Sequence, residues 1–228
     1  KEVKRLASIP LIEDLPKGFM AVREGKRSFK WRVDKPASIC FVSALDNGDP
    51  KKDVQFRDEL FQFDAPFKND PVAILKTQNR YYQSSWCNDT LAIVSDYWWN
   101  NRNQKTYLFN PSNPSKEPSI ISDRNYQDRY SDPGDFVEER NRYGEYVLLL
   151  RNKNLFLIGD GFSADGQFPF LDELRIGTFK KKRIYESTIE GEKESLRDFN
   201  PDDNKLFVRI ESPNEYPNYF FRNLDGEL

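Results

Sequence analysis

Trp86-Cys87-Asn88-Asp89-Thr90-Leu91-Ala92-Ile93-Val94-Ser95, followed after a polar connection by Thr106-Tyr107-Leu108-Phe109-Asn110, is the stretch that decides the fold. An aromatic residue leads into an Asn-Asp turn, then a short apolar run, then a second run with alternating aromatic residues. Neither run is long enough for a stable helix, and both end at turn-forming residues, so they read as strands. The same grammar recurs at residues 37–44 (ASICFVSA), 146–150 (YVLLL), 155–158 (LFLI) and 206–210 (LFVRI). Turn chemistry separates the runs: Asp46-Asn47-Gly48-Asp49-Pro50, Asn110-Pro111-Ser112-Asn113-Pro114, Asp132-Pro133-Gly134 and Asp165-Gly166. Residues 54–63 are the most helix-like, yet Phe61 and Phe63 also fit one face of a strand. The fold class is all-β and antiparallel.

The phrase repeats. Trp31-Arg32-Val33-Asp34 leads into residues 37–44 and then Phe61-Gln62-Phe63, and Phe199-Asn200-Pro201-Asp202-Asp203 leads into 206–210 and then Tyr219-Phe220-Phe221. Trp31 and Trp86 are 55 residues apart, and Trp86 to Phe199 is 113, or two such periods. Residues 146–150, 155–158 and 168–176 make a looser copy between them. Four short strands per unit at this period is the pattern of β-propeller blades, each burying its faces on its neighbours. The expectation is a partial β-propeller of about four blades over residues 1–228. Trp31, Trp86 and Phe199 are expected to be buried at equivalent places.

The 228 residues carry 35 Lys+Arg against 37 Asp+Glu, a net charge of −2. That balance argues against a nucleic-acid partner. There is no histidine, which excludes imidazole-based triads and His-ligated metal sites within the chain. Cys40 and Cys87 cannot assemble a four-cysteine zinc site, and their places in different phrases predict two free thiols. No apolar run approaches the roughly 18 to 20 residues of a membrane span, and no signal peptide is visible. The leading Lys1 and a terminal stretch, residues 225–228, that looks like a turn cut midway read as those of a fragment.

Several motifs invite chemistry and fail on their surroundings. Gly159-Asp160-Gly161-Phe162-Ser163-Ala164 fits a dinucleotide fingerprint, but Asp165-Gly166-Gln167-Phe168-Pro169 cannot open the helix that must follow. Ser163 sits in a near nucleophile elbow that lacks its last Gly, its helix and a His. Asp160, Asp165 and Asp172 miss the calcium-loop spacing, with Phe162 and Ala164 at ligand positions. Asp132 with Asp135, and Glu138 with Glu139, are candidate acid/base pairs, though closeness in sequence does not set them across a cleft. Tyr97-Trp98-Trp99 cannot all face one side of a strand. At least one ring leaves its sheet, to pack between sheets or to line a surface with Arg102 over a ring. Arg23, Arg27 and Arg32 suit bidentate carboxylate recognition and are equally readable as surface charges. Asn88-Asp89-Thr90 is a glycosylation sequon in a tight turn. No catalytic, cofactor-binding or metal residue is assigned, and no cofactor is expected.

Longer phrases carry a resemblance. Arg27-Ser28-Phe29-Lys30-Trp31-Arg32, Gly48-Asp49-Pro50-Lys51-Lys52, residues 88–94 (NDTLAIV), Asp96-Tyr97-Trp98-Trp99, Tyr130-Ser131-Asp132-Pro133-Gly134, residues 161–172 and residues 211–219 resemble the propeller of glutamyl endopeptidase-like serine peptidases, of the prolyl oligopeptidase superfamily. The resemblance spans essentially the whole chain. It implies a non-catalytic propeller segment, not itself an enzyme, that gates peptide access to a C-terminal α/β-hydrolase domain of the same polypeptide. It also implies a periplasmic or secreted location. The alternative is a free-standing binding module for a protein or glycan. An open arc of blades would leave apolar faces uncovered, so self-association is expected.

Overall fold

The computed structural model describes residues 4–189, 191–225 and 227. Of the terminal turn read from the sequence, Gly226 and Leu228 lie outside the described residues, as do Lys1–Val3. Among the described residues the secondary structure is 17 strands and one short 3-10 turn, and every strand pairing is antiparallel.

The strands form sheets from contiguous stretches of chain. The first holds β1 (Lys26–Trp31), β2 (Ser38–Ala44), β3 (Asp58–Asp64) and β4 (Val72–Thr77) in that order. The second holds β5 (Arg80–Asn88), β6 (Leu91–Trp98), β7 (Asn103–Phe109) and β8 (Ser119–Asn125), again in order. The third is β9 (Asp135–Phe136), β12 (Asn154–Gly159), β13 (Phe170–Arg175) and β14 (Lys181–Glu186), with the two-stranded ribbon β10 (Glu138–Arg140) and β11 (Tyr146–Leu148) inserted after its first strand. The fourth is β15 (Lys193–Asn200), β16 (Lys205–Ser212) and β17 (Glu215–Asn223). The sheets begin at residues 26, 80, 135 and 193, so the repeat read from the aromatic phrases is a repeat of sheets. The looser third copy is corrected: Tyr146–Leu148 pairs in the ribbon, and the third sheet's first strand is Asp135–Phe136.

The chain divides into two compact units, Lys1–Tyr126 with Arg140–Val147, and Gln127–Glu139 with Leu148–Leu228. In the first unit two sheets share one core. Cys40, Val42, Leu60, Ile74 and Leu75 from one sheet meet Trp86, Ala92, Val94, Tyr107 and Phe109 from the other. In the second unit Phe156, Leu171 and Tyr185 meet Leu196, Phe199, Leu206 and Val208. Apolar residues at every second position of β2, β6 and β16 account for this: one face of each strand is committed to the neighbouring sheet.

Trp86 and Phe199 are each 4% exposed, as the repeat predicts, but Trp31 is 58% exposed. A bulge in β1 between Arg27 and Lys30, where Ser28 takes a φ of 55°, inserts one residue against β2. Side chains alternate with a period of two, so one extra residue sends Trp31 to the opposite face. Trp31 there lies 6.3 Å from Phe67, and Arg32 turns inward instead, its guanidinium 4.3 Å from the Trp86 ring. Cys40 and Cys87 form no disulfide among the described residues, and Cys40 is buried with its pKa pushed up to about 12, mainly by burial.

Candidate functional site

Two of the three arginines offered as carboxylate readers, Arg27 and Arg32, do read carboxylates, but the chain's own. Asp58 opens β3 fully buried, and it accepts from Arg27 Nη2, from Arg80 Nη1 at 3.1 Å and from the Tyr81 amide at 2.7 Å. Arg80 opens β5 and forks onto Asp46 with two bonds of 2.8 Å. Arg57 adds a third cation, bonded to Asp46 at 2.9 Å and stacked 3.9 Å from the Trp98 ring. This network ties the first sheet to the second. Burial holds the Arg27 guanidinium below its ordinary pKa despite Asp58 beside it. Arg32 is likewise buried, paired with Asp34 and, at 3.2 Å, with Asp89. The surface-charge reading of Arg27 and Arg32 is therefore corrected. Gly48 lets the Asp46 turn close: at φ 76° its Cα faces the Val22 carbonyl so closely that a Cβ would sit 1.8 Å from the oxygen.

The other sheets carry buried carboxylates of the same kind. Asp96 in β6 accepts from the Asn79 amide and side chain, the Tyr107 hydroxyl and the Lys105 amide, and burial raises its pKa. Asp172 takes Arg183, and Glu194 takes Arg222 and the Tyr185 hydroxyl at 2.7 Å each. All are committed to packing, which leaves none of them as an acid, base or ligand in an open site.

The aromatic triplet divides three ways. Tyr97 lies edge-on to Tyr82 and Tyr126, and Trp98 is buried against Arg57. Trp99 falls in the turn beyond β6, stacked on the Phe19 ring at 5.6 Å and with the Arg102 guanidinium 3.7 Å from its centroid. Arg23 is half-buried.

The remaining candidates are quickly placed. Glu139 holds Arg151 through two bonds of 2.9 Å, while Asp132 Oδ1 accepts from the Gly134 amide of its own turn. Asn88 Oδ1 accepts from the Thr90 amide and hydroxyl within the β5–β6 turn. Asp160 is exposed, and no group of three potential metal-ligating side chains occurs among the described residues. Ser163 lies in a tight hairpin, its amide bonded to the Gly166 carbonyl at 2.8 Å and its Oγ donating to the same oxygen at 3.2 Å. Gly161 makes the hairpin possible, since a Cβ there would meet the Phe168 carbonyl oxygen at 1.8 Å.

That hairpin forms one wall of the feature sequence reasoning missed. In the second unit a cleft of about 520 Å³ opens between turn 129–132, hairpin 161–168 and strands β13 and β14. Its walls are aromatic and charged. The Arg129 guanidinium carbon lies over Phe162, 3.5 Å from the ring centroid, and that of Arg183 lies 3.9 Å from the Phe170 centroid. Tyr130 is 68% exposed and Phe168 38%. The phrase Tyr130-Ser131-Asp132-Pro133-Gly134 is conspicuous in the sequence, but nothing there links it to Phe162.

No protein-family model matches the chain. Two curated plant proteins, each described as a probable glutamyl endopeptidase, chloroplastic, are similar. The one from Oryza sativa subsp. japonica is 37% identical over 195 residues, and the one from Arabidopsis thaliana 37% over 196. Both alignments cover 82% of this chain, which spans only about a fifth of either relative, 21% and 20%. Among solved structures, TolB from Acinetobacter baumannii superposes with a TM-score of 0.41 and 13% identity, over 86% of this chain and 41% of that one.

Proposed function

The chain is a glutamyl endopeptidase-like segment, and from that premise we propose that it is the non-catalytic β-propeller part of a serine peptidase of the prolyl oligopeptidase superfamily. In this reading residues 1–228 form one propeller segment, the four sheets are its blades, and they admit peptides to an α/β-hydrolase domain of the same polypeptide. The observation that carries it is the succession of antiparallel sheets along the chain, within a sequence 37% identical over 82% of its length to peptidases about four times as long. A compartment outside the cytosol, periplasmic or secreted, goes with the proposal, since the plant relatives are chloroplastic.

Sequencing the reading frame beyond residue 228 tests it. The expected result is a G-x-S-x-G motif on a strand–turn–helix, with Asp and His following. A frame that closes without one favours the free-standing binding module.

A second expectation concerns partners. Phe207 stacks with Tyr219 at 5.4 Å and packs on Phe221 at 5.4 Å, on the face of the fourth sheet opposite its core. Tyr219 is 58% exposed and Phe221 65%. In a longer protein we propose that another sheet covers this face, and in the isolated chain a second copy does. Light scattering should show an apparent mass rising with concentration, and Phe221→Ser should reduce the rise. A constant monomer mass across a hundredfold range would refute self-association.

A further inference from the structure

We infer that the buried arginine–aspartate network of the first unit is a binding site for a single halide ion, held by Nη1 of Arg27. The inference does not depend on the peptidase proposal.

The network is short of negative charge. Asp46 and Asp58 meet the guanidinium groups of Arg27, Arg57 and Arg80, which leaves the groups in direct contact with one positive charge in excess. Arg80, Asp46 and Asp58 are almost wholly buried, and Arg27 is only 9% exposed. The charges around them do not make up the deficit. Asp96 on β6 accepts from Asn79, the Tyr107 hydroxyl and the Lys105 amide, and pairs with none of the three arginines among the described residues. Glu59 takes Lys76, and Lys26 is a further cation, 4.9 Å from the Phe41 centroid. Burial lowers the Arg27 pKa although Asp58 and Asp46 oppose the shift, and Arg80 adds to it. That is the behaviour of a cation whose surroundings balance it incompletely.

Arg27 also carries a buried donor without an acceptor. Its Nη2 is bonded to Asp58, but its Nη1 finds no partner among the described residues. The nearby carboxylates are already engaged. Asp58 accepts from Arg80 and the Tyr81 amide as well as from Arg27 Nη2, and Asp46 accepts from Arg57, the Arg80 fork and the Gly48 amide. A buried donor left unpaired bears the full cost of its desolvation. Water would satisfy the N–H and leave the surplus charge, whereas a monovalent anion answers both, and an unbalanced buried charge is the costlier defect. Because Nη1 is closed off from solvent, a single-atom ion suits the place better than phosphate or a carboxylate. Arg27 lies on β1 and Arg80 opens β5, so an ion here would strengthen the tie between the first two sheets.

The test is the melting temperature of the 228-residue chain in sodium chloride against sodium gluconate at equal ionic strength. Chloride should raise it with the logarithm of its concentration, by about 5–10 °C at a hundred times its dissociation constant. Arg27→Lys keeps a positive charge beside Asp58 but removes Nη1, and should lose this response. Lys52→Ala, which removes a cation from an exposed position of the same unit, should keep it. Crystals of the unmodified chain grown in sodium bromide should show an anomalous peak at hydrogen-bond distance from Arg27 Nη1, a readout that needs no variant to fold. An equal response to chloride in the unmodified chain and in Arg27→Lys would overturn the inference. So would a water without anomalous signal at Nη1, which would show that the N–H is satisfied and the surplus charge tolerated.

Discussion

On the peptidase proposal, a quenched peptide containing Glu should stay intact when incubated with the 228-residue chain and should be cleaved by a longer protein that carries it. Peptide hydrolysis by a serine mechanism needs an activated hydroxyl, a base to take its proton and donors for the oxyanion. The chain has no histidine. Its one elbow-like serine, Ser163, spends its hydroxyl proton on the Gly166 carbonyl, which accepts hydrogen bonds but cannot serve as a base. Lys181 lines the same cleft and, among the described residues there, is the only amine that a Ser–Lys arrangement could recruit. Losing triad function costs on the order of 10⁴ to 10⁶ in rate, so the expected turnover is below detection. Hydrolysis by the chain at even a few per cent of the complete protein's rate, abolished by Ser163→Ala or Lys181→Ala, would overturn the non-catalytic reading. If the complete protein also fails to cleave, the peptidase proposal falls with it.

Asp58→Ala should be the most damaging single change in the first unit. The carboxylate is fully buried and serves two arginines and a backbone amide. Without it, Arg27 and Arg80 remain buried with less opposing charge, and the Tyr81 amide loses its acceptor. Breaking a buried pair in this way costs about 3–5 kcal/mol, which corresponds to a fall of about 10 °C in melting temperature for a chain of this size. Asp58→Asn keeps the shape and one acceptor and should lose less. Asp70→Ala, at an exposed position, should change nothing measurable. Thermal unfolding followed by circular dichroism reads all three. A loss below about 1 kcal/mol for Asp58→Ala would mean that relaxation or water compensates the arginines.

Strand identity was legible because Val, Ile, Leu and Phe fall in short runs bounded by turn-forming Asn, Asp, Gly and Pro, as in residues 91–95 and 206–210. Sheet spacing was legible because each copy carries an aromatic residue before its strand. Three things were not. The bulge at Ser28 depends on a positive φ at a residue type that does not advertise one, so Trp31 read as buried when Arg32 takes the inward place. Asp58 and Arg80 are 22 positions apart and look like any surface charges until the sheets meet. The cleft was hidden for a similar reason. Arg129 and Phe162 lie in different connections, and Arg129's lack of a carboxylate partner is a property of three-dimensional placement, which composition and spacing do not report.

Among the described residues the first, second and fourth sheets are closed by neighbours in sequence, and in the third only one short ribbon separates paired strands. That has a consequence for synthesis. Loop closure between adjacent strands is cheap and fast, whereas distant pairings wait for the whole chain. A chain leaving the ribosome can complete its first sheet once residue 77 has emerged, and can bury that sheet's inner face when residues up to 125 follow. The nascent protein thus holds no long strand unpaired for a partner not yet made, and its assembly can proceed in the order in which it is translated.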